Sequence, residues 1–472
     1  MVGSSEKNHK EVKMQNIYNE VNSLDKRCYE KFFLSEDLLM EQAAFSMCSY
    51  IQNNFSKGKT ILIVCGPGNN GADGITLARL LYKKYKVILY IPFGVKLEMA
   101  KLQLKRIKSL GIKISSKIKA CDVVVDCLFG SGLSRDLNEE SISIIKSLNK
   151  LKSFKIACDI PSGINNLGQI NQNAFYADIT ITMGSLKKSL FTDIAKEYVG
   201  DIEVADLGIQ RKIYEKKTSY FLLEQKDLKL PIRDNKISNK GTYGHLSVVA
   251  GEKSGAGILC ADAGFSFGCG LITAISNDIK KLPNYIMHSK NLPINTTALC
   301  IGMGLGKSYD KSLLENNIPK VIDADLFSDK YILALLSQKN IVLTPHPKEF
   351  CSLLKMTKLA NISIEELQQN RFKYVSLFSK KYKNVVLLLK GTNVLISQNK
   401  TTYVNPHGSS VLSKGGSGDV LCGLIGSLLA QGYSPLDATL QGSLAHTIAA
   451  SKYDGNNYAM TPQDLVTEIK KL

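Results

Sequence analysis

The segment Ser413-Lys414-Gly415-Gly416-Ser417-Gly418-Asp419 runs straight into an apolar helical stretch, VLCGLIGSLLAQG. Glycines at a helix start leave backbone amides open to surround an oxyanion or a phosphate. Asp419, at the mouth of that helix, is placed to take the proton of an attacking hydroxyl as a terminal phosphate arrives, which is how phosphoryl transfer recruits a base. A plain N-cap aspartate fits the same position; the GGSG ahead of it favours the chemical role. Walker-type and protein-kinase motifs are absent from the chain.

A second polar cluster lies in the first half. Cys65-Gly66-Pro67-Gly68-Asn69-Asn70-Gly71-Ala72-Asp73-Gly74 follows an apolar strand pattern and opens a helical one. Its glycines allow a ligand close to the backbone, and Asn69, Asn70 and Asp73 add amides and oxygens. Asp126 ends VVVD before Cys127–Asp136, and Asp159 ends KIACD before Ile160-Pro161-Ser162-Gly163. Ligands of open α/β sheets bind outside the carboxyl ends of the strands, so these three ends are expected to share one crevice. Any one Asp here also reads as a cap or a turn; three together make coincidence a poor account.

Such groups need parallel strands to carry them. Nearly continuous Val/Ile/Leu runs at 60–66, 86–92, 121–130, 154–163, 178–184 and 201–208 have the pattern of strands buried on both faces. Residues 22–55 read as helical, with Ser35 as an N-cap. The expected result is a doubly wound, Rossmann-like α/β/α domain over 14–215, after a disordered extension at 1–13, with Met14 as an alternative start. Residues 209–240 are polar and charged, which places a boundary near 215–225. Alternation resumes at 245–251, 270–276, 297–304, 321–326, 340–347, 384–391 and 393–397, then a helix at 415–431. A second, larger α/β domain over 225–472 follows.

The bulk composition excludes several classes. The chain has 472 residues, 44% of them apolar, and no run long enough to span a bilayer. Its first residues carry no secretory pattern. The 11 cysteines form no Cys-x-x-Cys pair, which fits reduced thiols, a cytoplasmic location and no zinc. A net charge of +18 is shared by both halves and there is no Trp, so the lysines read as a dispersed surface and not as a nucleic-acid stripe.

In order, GxGNNGxDG, DxLFG and DIPSG make residues 14–210 resemble the epimerase domain of the NAD(P)H-hydrate repair enzymes, which interconvert the R and S forms of hydrated NADH and NADPH. The resemblance implies that Asn69, Asn70, Gly71, Ala72 and Asp73, together with Gly130, Ser131, Gly132, Leu133, Ser134, Arg135 and Asp136, hold the hydrate. It also implies that Asp159 touches the hydrate and that Asn70, Asp126 and Ser162 bind potassium. Ala72 stands where the family commonly has glycine. Epimerisation needs a group that moves a proton, and Asp159 is the candidate.

The GxGD element is similar to that of ribokinase-like kinases. With Gly241-Thr242-Tyr243-Gly244-His245, Gly302–Gly306, Asp323-Ala324-Asp325, Thr344–Glu349 and Leu389–Thr392, it makes residues 225–472 resemble the ADP- or ATP-dependent dehydratase domain of the same family. Met303 and Lys348 depart from the usual proline and glycine. By this resemblance Ala256, Gly304, His346 and Asp419 contact the hydrate, while Lys390, Gly391, Thr392, Asn393, Val394 and Gly418 contact the nucleotide. The fold implied is ribokinase-like, the assembly a homo-oligomer with no nucleic-acid or membrane partner, and the cofactors K+, Mg2+ and ADP as co-substrate. Phosphorylation of the hydroxyl by ADP would turn a poor leaving group into phosphate, giving AMP and NAD(P)H. Two other readings use the same elements: a small-vitamin or sugar kinase fused to a binding domain, and a nucleotide sensor or nucleic-acid binder that keeps the folds without chemistry.

Overall fold

The computed structural model describes residues 14–133, 136–170, 172–277, 282–307 and 309–472. The expectation for 1–13 lies outside these residues. The chain forms two compact units, one built mainly from Asn16–Thr218 and the other mainly from Ser219–Leu472.

The first unit carries a parallel sheet of seven strands: β1 Thr60–Cys65, β2 Lys86–Tyr90, β3 Ile114–Ser115, β4 Val123–Cys127, β5 Phe154–Cys158, β6 Ile179–Met183 and β7 Asp201–Ala205, in the order β3-β2-β1-β4-β5-β6-β7. All five residues of β4 are buried, as two covered faces require. The order reverses between β1 and β4, so the turns leaving these neighbours diverge and open a crevice there. The helix after β1, Asn69–Leu81, packs too closely for side chains at its start: a Cβ on Gly71 would lie 1.9 Å from the Gly66 carbonyl oxygen. The helical stretch expected over 22–55 is two helices, Asn22–Lys31 and Glu36–Asn54. Between them Phe33 takes φ 54°, which an α-helix cannot include. The Ser35 hydroxyl accepts from the Leu38 amide at 3.3 Å and caps the second helix.

The second unit holds β8 Tyr220–Leu222, β9 His245–Val249, β10 Leu271–Ile275, β11 Met287–Ser289, β12 Ala298–Ile301, β13 Lys320–Ile322, β14 Ile341–Leu343, β15 Val386–Leu389, β16 Val394–Gln398 and β17 Thr401–Asn405. Their order is β11-β10-β9-β12-β13-β14-β15-β16-β17-β8. The pairings are parallel except for β15-β16 and β16-β17, which are antiparallel. Asn399 and Lys400 make the β16–β17 turn with φ 45° and 71°, the left-handed pair that a two-residue hairpin favours. The helix Ser417–Ala430 is apolar on every side and almost wholly buried, as a central helix must be. Its Gly423 lets it approach the helix Ser254–Ser266: an added Cβ would sit 2.2 Å from the Cys260 carbonyl oxygen. Among the described residues no helix is long and apolar enough to cross a membrane.

Candidate active sites

In the first unit a cavity of about 640 Å3 opens at the β1/β4 switch point. It is lined by the β1 turn (Gly68, Asn69, Asn70, Asp73), the β4 turn (Leu128 to Leu133) and Asp159 after β5. The loops after three strands therefore do meet. Asp126 and Ser162 lie behind the wall. The Ser162 amide and hydroxyl donate to Asp126 at 2.8 and 2.7 Å, and the Phe129 amide donates to the Ser162 hydroxyl oxygen at 2.9 Å. Burial pushes the Asp126 carboxyl up to about 6, against the pull of these hydrogen bonds. Ala72 is fully buried and Asp136 is exposed, while Ser134 and Arg135 lie outside the described residues. Gly130 is the point of closest approach: a Cβ there would meet Asn70 Oδ1 and Asp159 Oδ2, both at 3.3 Å.

Asp159 has φ 69° and receives four donors. The Ser131 amide donates at 3.2 Å, the Met183 amide at 3.1 Å, the Thr182 hydroxyl at 3.4 Å, and Lys187 Nζ lies 2.6 Å away. Burial works against its charge, but the Lys187 ammonium and these hydrogen bonds outweigh it and hold the carboxyl below the usual carboxylate range. Lys187 is itself only 1% exposed and also donates to Thr182 Oγ1 at 2.9 Å and the Met183 carbonyl at 3.1 Å. Among the described residues no such cation acts on Asp73, and burial, then the charge of Asp159, pushes it well up. Two carboxyl groups of one cavity are thus biased toward opposite protonation states, the arrangement acid–base chemistry uses. Sequence reasoning missed Lys187, because a lysine following a strand gives no sign of burial until its carboxylate partner is placed beside it.

The tight start of the Asn69–Leu81 helix gives a direct test. Gly71→Ala must displace the Gly66 backbone, and it is expected to cost about 1–3 kcal/mol, the range for overpacking. Denaturant unfolding of the first unit, followed by a fluorophore placed there, checks it; an unchanged midpoint would show that the turn has room.

In the second unit Gly416 takes φ 95° at the N-cap of Ser417–Ala430, which leaves the first amides of that helix uncovered by a side chain. Asp419 is half-buried in its first turn and makes no hydrogen bond within the described residues. Burial and then the charge of Asp323 push its carboxyl up to about 6, with Lys390 opposing them. Lys390 Nζ pairs with Asp323 Oδ1 at 2.7 Å, and a Cβ on Gly418 would lie 3.1 Å from that nitrogen. Burial alone would pull Lys390 down, yet Asp323 carries it above its ordinary value. Asp323 Oδ2 accepts from the Cys422 thiol at 3.2 Å. Sequence reasoning gave Asp323 no catalytic role; the structure makes it the anchor of Lys390.

The remaining expected residues surround this centre unevenly. The Gly304 carbonyl, at a residue of φ 57°, accepts the Lys253 amide at 2.9 Å, and the Ala256 amide, in the first turn of Ser254–Ser266, donates to the Lys253 carbonyl at 3.2 Å, so Lys253 links the two. His346 is the N-cap of Pro347–Met356: its Nδ1 accepts from the Lys348 and Glu349 amides at 3.1 and 3.4 Å, and Nε2 lies 3.1 Å from Glu349. Burial, then Lys390, lowers its pKa, which suits a neutral acceptor. Gly391 and Thr392 are approached closely by Gly408, whose Cβ would lie 2.2 Å from the Thr392 carbonyl oxygen. Asn393 is buried and Val394 opens β16.

Comparison with known proteins reads both halves. Residues 246–471 match the family described as NAD(P)H-hydrate dehydratase, and residues 36–189 the family described as YjeF-related protein N-terminus. A protein of Helicobacter pylori named bifunctional NAD(P)H-hydrate repair enzyme Nnr is 44% identical over 473 residues, covering 97% of this chain and 100% of that one. The chain belongs to the bifunctional NAD(P)H-hydrate repair enzymes. A Coxiella burnetii relative of the same name is 32% identical across 93% of this chain and 95% of its own. A Bacillus subtilis structure described as ADP/ATP-dependent NAD(P)H-hydrate dehydratase co-crystallized with ATP/Mg2+ is similar at TM-score 0.44 and 25% identity, covering 51% of this chain and 93% of that chain. Family membership gives the chain two activities, NAD(P)H-hydrate epimerase and NAD(P)H-hydrate dehydratase, in place of the sugar-kinase and sensor readings.

Proposed function

We propose that the first unit interconverts the R and S hydrates of NADH and NADPH with Asp159 as a proton-moving group, and that the second dehydrates the S form with ADP as phosphoryl donor. The observation that carries the second assignment is Asp419: a half-buried carboxyl with no hydrogen bond among the described residues, in the first turn of a helix and beside Lys390. In this reading Asp419 takes the proton of the hydrate hydroxyl as its oxygen attacks the terminal phosphorus of ADP. The bond to AMP breaks, and the hydroxyl becomes a phosphate ester. The ring nitrogen then expels phosphate, and loss of a ring proton restores the reduced nicotinamide. Lys390, Gly391, Thr392, Asn393, Val394 and Gly418 form the nucleotide side; Ala256, Gly304 and His346 form the hydrate side. Asp323 and Asp419 are the hard oxygen donors at that mouth that would hold Mg2+, which would supply positive charge against the phosphates.

The first unit also fits a hard monovalent cation. Both side-chain polar atoms of Asn70 are buried without a hydrogen-bond partner among the described residues. Asp126 is fully buried, and no cationic side chain acts on it among the described residues. Asn70, Asp126 and Ser162 would hold K+, which supplies the positive charge that the buried carboxylate lacks.

Incubation with the S hydrate of NADH and ADP tests the reading. The expected result is return of reduced-nicotinamide absorbance with AMP and phosphate in equal amounts. A stable phosphorylated product without that return would overturn it.

A further inference from the structure

The helix Asn22–Lys31 places a carboxyl group in the first unit's cavity that the reading above does not use. Asp25 is half-buried and lines the cavity together with Asp73 and Asp159. One of its oxygens accepts from Tyr214 Oη at 2.7 Å; the other makes no hydrogen bond among the described residues. Tyr214 is only 1% exposed, and its ring occupies the space that a side chain at residue 184 would fill: a Cβ on Gly184 would lie 2.7 Å from it. Arg27, on the same helix, donates to the Tyr214 carbonyl and ties the two segments together. The phenol is therefore fixed, and it fixes the carboxyl, leaving one oxygen for the cavity. Asp159 enters the same cavity from the end of β5, on a different element.

We propose that Asp25, oriented by Tyr214, is a second proton-transfer group of the epimerase site and acts with Asp159 on the hydroxyl-bearing carbon. On the route argued here, that carbon inverts as a hydroxyl leaves one face and water returns to the other. In the forward step Asp25 gives its proton to the departing oxygen. The C–O bond breaks with its electron pair, water is released, and the ring nitrogen's lone pair forms the C=N bond. Water then adds to the opposite face, its electron pair forming the new C–O bond as the C=N pair returns to nitrogen, and Asp159 takes the proton. The reverse direction exchanges the two roles, and solvent exchange resets them. Asp159 is held toward its ionised form by Lys187, whereas burial pushes Asp25 upward against the Tyr214 hydrogen bond and the charge of Lys187, so the two carboxyl groups are biased in opposite directions, as an acid–base pair is. The groups facing Asp25 are Tyr214, Lys187, Glu20, Asp73 and Asp159, with Cys28 and Tyr29 on its own helix.

The inference rests on the epimerase assignment, and the full chain tests both separately. If the wild-type chain fails to interconvert R and S hydrates, the assignment itself falls. Given wild-type activity, Asp25→Asn is expected to lower kcat for epimerisation by about 10²–10⁴-fold, the usual contribution of a general acid or base, with KM within about threefold. Retained kcat, or a loss confined to KM, overturns the proposal. Tyr214→Phe covers the case in which Asp25→Asn does not fold. Removing the phenol takes away a hydrogen bond that favours the ionised carboxylate, so the alkaline limb of the epimerase pH profile is expected to move to higher pH. An unmoved limb makes Tyr214 merely structural and overturns the orientation argued here.

Discussion

Asp419→Asn is expected to slow the ADP-dependent return of NADH from its S hydrate by about 10²–10⁴-fold while leaving epimerisation of the R form intact. The amide keeps the size of the side chain and cannot take a proton. Because the wild-type carboxyl makes no hydrogen bond among the described residues, the substitution removes chemistry without breaking a scaffold. The wild-type pH profile provides the companion measurement. Burial and Asp323 hold the Asp419 carboxyl at about 6, so dehydration by the free enzyme is expected to fall as pH drops through that value, the base being lost to protonation. Dehydration that persists in the variant, or a wild-type rate that is flat through that window, would remove Asp419 from the reaction.

Lys187→Met is expected to destabilise the first unit by about 3–5 kcal/mol at neutral pH, because removing one partner strands a buried charge. It should also abolish epimerisation. In the wild-type protein the folded Asp159 carboxyl lies below its unfolded value. The pair therefore stabilises fully above the unfolded carboxylate value of about 4 and loses its contribution as pH falls through the folded one. Without Lys187 the burial that already opposes the charge has no counterweight, so the carboxyl moves above its unfolded value and the folded variant gains protons more readily. The deficit should shrink as pH falls. Denaturant midpoints of both proteins across that range check it; a deficit independent of pH would mean that Lys187 contributes only packing.

Much of this arrangement could be read from residue order. The Val/Ile/Leu runs identify β1, β2, β4, β5, β6 and β7, since strands covered on both faces need uninterrupted apolar side chains. The turns bearing Asn70, Asp126 and Asp159 were marked by polar residues where those runs stop. Elements with weak local signals were missed. Met287–Ser289 and Tyr220–Leu222 are only three residues long, and Thr401–Asn405, with two threonines and an asparagine, offers no apolar run. Pairs distant in the chain were missed for a different reason. Lys187 with Asp159, Lys390 with Asp323, and Tyr214 with Asp25 become contacts only after the fold brings distant segments together, and no spacing encodes that. His346 shows the reverse case: its place after a strand suggested ligand contact, while its imidazole also serves as the cap of the following helix.

The backbone of Asp159 restricts what can replace it. A φ of 69° is open to glycine and tolerated by Asp and Asn, but costs most other residues roughly 1–2 kcal/mol. Evolutionary drift at this position therefore meets two independent filters, one electrostatic and one conformational. Alanine, the habitual choice for silencing a carboxylate, fails both at once and would confound lost proton transfer with a distorted turn. Asparagine meets the conformational requirement and fails only the electrostatic one, which makes it the substitution whose kinetics can be attributed to charge.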